Sequence, residues 1–201
     1  YLSEHSNKKV LLIEKGKISQ KRNCPVKSYR ECIKCKPCNI LSGIGGAGLF
    51  SDGKLNYIYK LGKTDLAQFM PRHQAEKLID ETEQIFNKFG MDGPVYPTDM
   101  AEARQIRKRD QCYAIDLLII KQKHLGSDRL PEHIAAMADH IKSKGVVMHT
   151  SEEVKEVLIE NNHAVGVVTN RKNYFADNVI LAPGRVGADW VGGVAQKFDI
   201  G

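Results

Sequence analysis

No apolar run in this chain approaches the ~20 residues that a hydrocarbon core demands. The longest, Ile115 to Ile120 and Val179 to Ala182, stop far short of it, so no membrane contact is expected. The opening Tyr-Leu-Ser-Glu-His-Ser-Asn-Lys-Lys has no apolar stretch ahead of a small-residue cleavage site. It does not read as a signal peptide, and a cytoplasmic setting is expected. A strong excess of one charge is missing too, since 30 Lys+Arg face 24 Asp+Glu for a net +6. With 42% hydrophobic residues gathered in separate blocks, 201 residues suffice for a real core, and disorder is excluded. Repeats and low-complexity segments are absent. The basic residues neither line one helix nor interleave with aromatics, so nucleic acid is not the expected partner.

Cysteines are few, but four of the five lie together as Cys24-x7-Cys32-x2-Cys35-x2-Cys38. Two C-x-x-C steps sharing Cys35 bring four sulfurs within reach of one tetrahedral centre and suit zinc or an iron-sulfur cluster. The spacing is not a ferredoxin run, and no His or second C-x-x-C pair completes a zinc ribbon. Metal, reduced thiols and a regulatory disulfide stay open as readings. The same stretch, Lys15 to Lys36, holds eight Lys or Arg and one Glu. It can steer an anionic ligand or simply form a solvated loop. A four-Cys metal module whose basic loop touches nucleic acid is the alternative function.

Periodicity orders the rest. Residues 1 to 7 read as a helix end, and Lys9 to Ile13 as a buried parallel strand closed by Glu14. Thr64 to Gly90 reads as an amphipathic helix with Phe69, Phe86 and Phe89 in the core and Gly90 as its stop. A charged helix follows over Met100 to Arg109, then a strand over Ile115 to Lys121. Asp128 caps a helix that has Pro131 in its first turn and ends at Gly145. Four short strands come last, at Val146 to His149, Val154 to Glu160, Ala164 to Thr169 and Asn178 to Ala182, with an Asn161-Asn162 hairpin turn.

Gly43-Ile44-Gly45-Gly46-Ala47-Gly48 matches G-x-G-x-x-G, yet the motif must follow a buried strand, and Pro37 forbids one just upstream. The strand ending at Glu14 fits the second half of a dinucleotide-binding unit instead. Its phosphate loop is then expected ahead of Tyr1, as in a piece of a longer protein. The strand ending Ala182-Pro183-Gly184-Arg185 fits the return to a cofactor sheet, because only glycine lets the backbone turn beneath a cofactor.

Five blocks together resemble a known family. They are Val10 to Gly16, Cys24-Pro25 with Cys32 to Ile40, Gly45-Gly46-Ala47-Gly48-Leu49-Phe50-Ser51-Asp52-Gly53-Lys54-Leu55, His124 to Asp128, and Ala182 to Arg185. The chain resembles the FAD-dependent dehydrogenases or oxidoreductases of bacteria and archaea with the glutathione-reductase-type FAD fold. The resemblance implies an α/β fold: an incomplete FAD/NAD(P)-binding Rossmann-like domain with a β-meander and a mainly helical insertion. Residues 1–60 and 145–201 would form the FAD lobe and 61–144 the insertion. It implies FAD as cofactor, with a small-molecule substrate and NAD(P)H as partners. Glu14 and Lys15 would serve the adenosine ribose, and Gly45, Gly46, Ala47 and Gly48 the pyrophosphate or flavin. Ser51, Asp52 and Lys54 would serve the ribityl chain or flavin ring. Val154 would offer its backbone to adenine, and Ala182, Pro183, Gly184 and Arg185 would pass beneath the cofactor. His124 and Asp128 are the catalytic pair expected to handle protons.

Overall fold

The computed structural model describes residues 1–126 and 128–200. Along the chain run α1 (Leu2–His5), β1 (Leu11–Glu14), α2 (Val26–Tyr29), β2 (Lys54–Asn56), β3 (Lys60–Leu61), β4 (Thr64–Asp65), α3 (Arg72–Lys88) and β5 (Val95–Tyr96). Then follow α4 (Met100–Gln111), β6 (Gln122–His124), α5 (Leu130–Ser143), β7 (Val147–Thr150), β8 (Val154–Glu160), β9 (His163–Thr169), β10 (Asn173–Phe175) and α6 (Ala188–Lys197). The fold is mixed α/β, as the alternating periods predict. It divides into two units, one built from Tyr1–Leu49 with the chain from Ile134 onward, the other from Phe50–His133. Among the described residues no helix is long and apolar enough to cross a membrane.

In the first unit β1 pairs in parallel with β7, Leu11 opposite Val147 and Glu14 opposite Thr150. The pairing runs on past both strands, with the Ser151 amide donating to the Gly16 carbonyl at 2.7 Å and the Glu152 amide to the Glu14 carbonyl at 3.1 Å. β1 is half-buried rather than buried, because a two-stranded sheet leaves Leu11 and Val147 exposed together. α5 ends at Gly145 as predicted. The Gly145 amide donates to Lys142 and the Val146 amide to Ile141, which closes the last turn through a left-handed glycine at φ 85°. The buried Val146 then leads straight into β7.

β8, β9 and β10 form the expected antiparallel meander with β9 in the middle. Its first turn places Asn161 at φ 48° and Asn162 at φ 62°, the conformation a two-residue hairpin requires. The strand expected over Asn178 to Ala182 is not formed. Among the described residues nothing pairs with it, and Ile180 is 74% exposed. β-branched residues favour a strand only where a neighbour completes the ladder. α6 follows instead, anchored where the Trp190 indole donates to the Lys155 carbonyl at 3.0 Å.

In the second unit β6 is the middle of a three-stranded antiparallel sheet in the order β2-β6-β5. That strand starts downstream of the β-branched run Ile115 to Lys121 that sequence favours. Buried Lys123 and Leu125 alternate with exposed His124, and this period-2 pattern, not the apolar run before it, sets the strand. α3 starts at Arg72, directly after Pro71, rather than at Thr64. Residues 64–68 hold β4 and a short 3-10 turn capped by Asp65, and Phe69 is 79% exposed, not core. α3 stops at Gly90 by the device that ends α5, with Gly90 at φ 83° and the Met91 amide returning to the Phe86 carbonyl. α5 opens with the Arg129 carbonyl accepting from His133, so Arg129 occupies the cap position expected for Asp128.

Candidate functional site

The parallel β1–β7 pair delivers Glu14 to a strand end, where its carboxylate meets the glycine-rich loop. Glu14 Oε1 accepts from the Gly16 amide at 2.7 Å and from the Gly43 amide at 2.9 Å. Both bonds fall on one oxygen. Gly16 is a close-approach glycine, since a Cβ there would stand 2.3 Å from the Gly43 nitrogen. The strand end and the loop are therefore in backbone contact.

A residue with no motif to announce it completes this arrangement. Arg22, 4% exposed, donates Nε–H to the Asn39 carbonyl at 2.9 Å and Nη2–H to Ile40 at 2.7 Å. Its Nη1–H groups reach Ile44 at 2.9 Å and Gly43 at 3.4 Å. The planar guanidinium fork suits several carbonyls at once. Burial lowers the Arg22 pKa, with the Glu14 carboxylate and then Cys38 opposing. In the sequence Arg22 is one of eight basic residues between Lys15 and Lys36, and nothing local distinguishes it.

Beyond this clamp the loop opens. Gly45 sits at φ 93° with Leu49 and Ile134 side chains 2.9 and 3.1 Å from a Cβ position. Gly46, Ala47 and Gly48 are exposed, and neither glycine of the three has an atom within 4 Å of where a Cβ would lie. Lys15 is half-buried next to Glu14. Val154 opens β8 opposite Thr169, just before a bulge. Ala182, Pro183, Gly184 and Arg185 are exposed, with Gly184 at φ 64° before a 3-10 turn over Arg185–Gly187. The left-handed glycine is where the sequence puts it; the strand before it is not.

In the second unit, Lys54 of β2 lies opposite His124 of β6. Asp52 Oδ2 is 3.1 Å from Lys54 Nζ, and the Lys54 hydrogen bond holds the Asp52 carboxyl below its ordinary value. Asp52, Lys54 and His124 thus belong to one exposed polar group. Ser51 Oγ accepts from the Gly53 amide at 3.3 Å and shapes the turn between them. A Cβ on Gly53 would stand 2.6 Å from the Gly126 carbonyl oxygen, so the Asp52–Lys54 and His124–Gly126 segments touch through backbone. Asp128 lies in the turn ahead of α5 and His124 closes β6, so their spacing is not that of one helix face. Ser127 of that block lies outside the described residues.

A cavity of about 320 Å³ opens between β2 and α3, walled by Lys54, Asn56, Tyr57, Ile79, Thr82 and Phe86 among others. The buried Tyr57 hydroxyl has no hydrogen-bond partner. Burial, and then the Glu83 carboxylate, push its pKa to about 12. Glu83 itself is paired to Lys121 and, at 3.0 Å, to the buried Lys123, which also donates to Asn87 Oδ1 at 2.6 Å.

The four-cysteine centre is not assembled. All five cysteines are free, and among the described residues no three His, Cys, Asp or Glu side chains are grouped to hold a metal ion. Cys24, Cys35 and Cys38 are half-buried and Cys32 is exposed. They lie on an irregular loop that includes the one-turn helix α2, and its base is pinned by Arg22 and by Asn39 Nδ2 donating to the Asn23 carbonyl.

Glu152 is a further buried acid, with no motif to mark it in the sequence. Glu152, fully buried at the turn after β7, accepts from Thr169 Oγ1 at 2.7 Å through Oε1. Its Oε2 faces His149 Nδ1 at 3.2 Å and Arg171 Nη1 at 3.5 Å, charge contacts without hydrogen-bond geometry. His149 Nδ1 also meets the Tyr174 hydroxyl at 2.9 Å. The group ties β7 to the β9–β10 hairpin.

No protein-family model matches the chain, and no curated protein matches its sequence. Among solved structures, the L-amino acid deaminase from Proteus vulgaris aligns over 99% of this chain and 46% of its own, with a TM-score of 0.51 at 16% identity. The glycine oxidase from Bacillus cereus ATCC 14579 aligns over 64% of this chain and 46% of its own, with a TM-score of 0.37 at 17% identity. The L-proline dehydrogenase from P. horikoshii aligns over 75% and 35%, with a TM-score of 0.33 at 22% identity. This chain spans less than half the length of each of these three proteins. Over nearly its whole length it shares the fold of the corresponding part of the L-amino acid deaminase.

Proposed function

We propose that this chain serves an FAD-dependent oxidoreductase, its first unit being an incomplete Rossmann-like FAD lobe. The observation that carries the reading is the Glu14 carboxylate. Oε1 is saturated by two backbone amides, which fixes the group at the end of a parallel strand and leaves Oε2 to accept from ribose hydroxyls. The loop next to it fits the same ligand, because Gly46 and Gly48 leave room for backbone N–H groups to approach an anion. Lys15 and Arg185 supply compensating charge, Gly184 presents bare backbone, and Val154 offers main-chain atoms at the start of β8. When bound, FAD supplies two-electron hydride chemistry with an organic substrate or a nicotinamide.

On the second unit we assign substrate chemistry to Asp52, Lys54 and His124, in place of the flavin-side role that the resemblance implies for Asp52 and Lys54. Lys54 keeps Asp52 ionised, and the exposed His124 imidazole, across the ladder from Lys54, is the group that would take or give the proton. Asp128 and Ser51 shape the turns on either side.

The test is titration of FAD into the protein, followed by flavin fluorescence and the absorbance of the bound form. Binding is expected, weakened about tenfold or more by Glu14→Ala, equivalent to ~1.4 kcal/mol. His124→Gln should leave binding unchanged and lower kcat/KM by about a hundredfold. L-amino acids, on which the matched deaminase acts by name, form the first substrate panel, with NADH and NADPH beside them. Failure of FAD to bind would end this reading.

A further inference from the structure

Cys35-Lys36-Pro37-Cys38 is a C-x-x-C step that the metal reading leaves unused. The chain bends at Lys36 and Pro37, the two residues between Cys35 and Cys38. Both are half-buried and outside any disulfide, whereas Cys32, the other neighbour at this spacing, is exposed beside the exposed Ile33. Cys38 is anchored. Its carbonyl accepts from Leu41 at 3.2 Å and Ser42 at 2.9 Å, and the buried Arg22 holds the carbonyls of the next two residues. In sequence, Lys27, Arg30, Lys34 and Lys36 lie within eight residues of Cys35 with the single Glu31 among them, a local charge excess suited to an anionic partner.

We propose that Cys35 and Cys38 form a redox-active dithiol that exchanges with an anionic low-molecular-weight disulfide such as oxidised glutathione. One cysteine thiolate attacks a sulfur of that disulfide, its S–S bond breaks, and one glutathione leaves as a thiolate and takes up a proton. The second cysteine loses its proton and attacks the mixed disulfide, releasing the second glutathione. Two protein thiols are oxidised to one disulfide, and one glutathione disulfide is reduced to two thiols. The step stands whether or not the protein binds a flavin, so its failure and that of the flavin reading are separate.

The test equilibrates the whole reduced chain with glutathione redox buffers, then quenches it and reads thiol count, intact mass and peptide linkage. Two of the five thiols should disappear with the loss of two hydrogens in mass, and the linked peptide should join Cys35 to Cys38. Cys35→Ser and Cys38→Ser should each accumulate one glutathione adduct instead, while Cys32→Ser should still close the pair. Linkage through Cys32 or Cys24, accumulation of wild-type adducts without an internal disulfide, or one tightly bound zinc that protects all four cysteines would each overturn the proposal. Linkage mapping on the wild type decides the matter even if a variant fails to fold.

Discussion

Glu14 and Gly43, 29 residues apart, are joined by a 2.9 Å hydrogen bond from the Gly43 amide to the Glu14 carboxylate. Gly43 and Gly16 are both buried, so removing the acceptor strands two N–H donors away from water. Glu14→Ala should destabilise the fold by about 2–3 kcal/mol in urea unfolding. Glu14→Gln, which keeps an oxygen in place without its charge, should cost about 1 kcal/mol. Equal losses in the two variants would mean that the charge, not the acceptor, holds the loop.

Glycines in this region divide into two kinds that a substitution tells apart. Gly16→Ala drives a methyl to 2.3 Å from backbone nitrogen, and backbone yields less readily than a flexible side chain. A loss on the order of 3 kcal/mol is expected. Gly48→Ala meets open space and should change stability by less than about 0.5 kcal/mol. If Gly48 lies against FAD, the same variant should weaken FAD binding while the melting temperature of the free protein stays put. A Gly48→Ala protein that binds FAD as the wild type does would remove Gly48 from the cofactor site.

Features set by short-range chemistry were legible in the sequence. Gly90 and Gly145 stop their helices, Asn161-Asn162 turns the meander, and Glu14 closes a parallel strand, because each depends on a backbone conformation or a local period. What failed depends on distant partners. Val179 to Ala182 has strand composition and no strand beside it. α6 carries Gly192 and Gly193, which mask its helical pattern, and its Trp190 anchor lies 35 residues away. Arg22 and Glu152 look like surface charges until the fold buries them among carbonyls and hydroxyls. The cysteine spacing left a metal centre, reduced thiols and a disulfide open, and among the described residues no metal-holding group is found, because a ligand set also needs the loop to converge, which spacing does not determine.

Arg22 offers a test of how far the glycine-rich loop depends on one side chain. Its fork spans four carbonyls, and a lysine ammonium, a compact point charge, does not reach them together. Arg22→Lys is expected to cost about 2–4 kcal/mol, since buried carbonyls are left without donors. Hydrogen exchange should quicken at the amides of residues 39–46 and stay slow in β8 and β9. Uniform quickening across the first unit would show that Arg22 supports the whole unit rather than the loop.

Glu152 makes stability depend on pH with a definite sign. Burial raises its pKa, but the hydrogen bond from the Thr169 hydroxyl, the nearby Tyr174 hydroxyl, and then the Arg171 and His149 charges outweigh burial. The folded value therefore lies below the ordinary 4.5. The ionised form is favoured in the fold, so its contribution is complete above the unfolded value and is lost as pH falls through the folded one. Glu152→Gln removes that ionisation, and at neutral pH the variant should be less stable by roughly 1.5–3 kcal/mol, the worth of hydrogen bonds to a buried charge. In urea unfolding repeated toward acid, the gap should hold to about pH 5 and close below it. A gap that persists unchanged in acid would assign the loss to packing around the amide, not to the carboxylate charge.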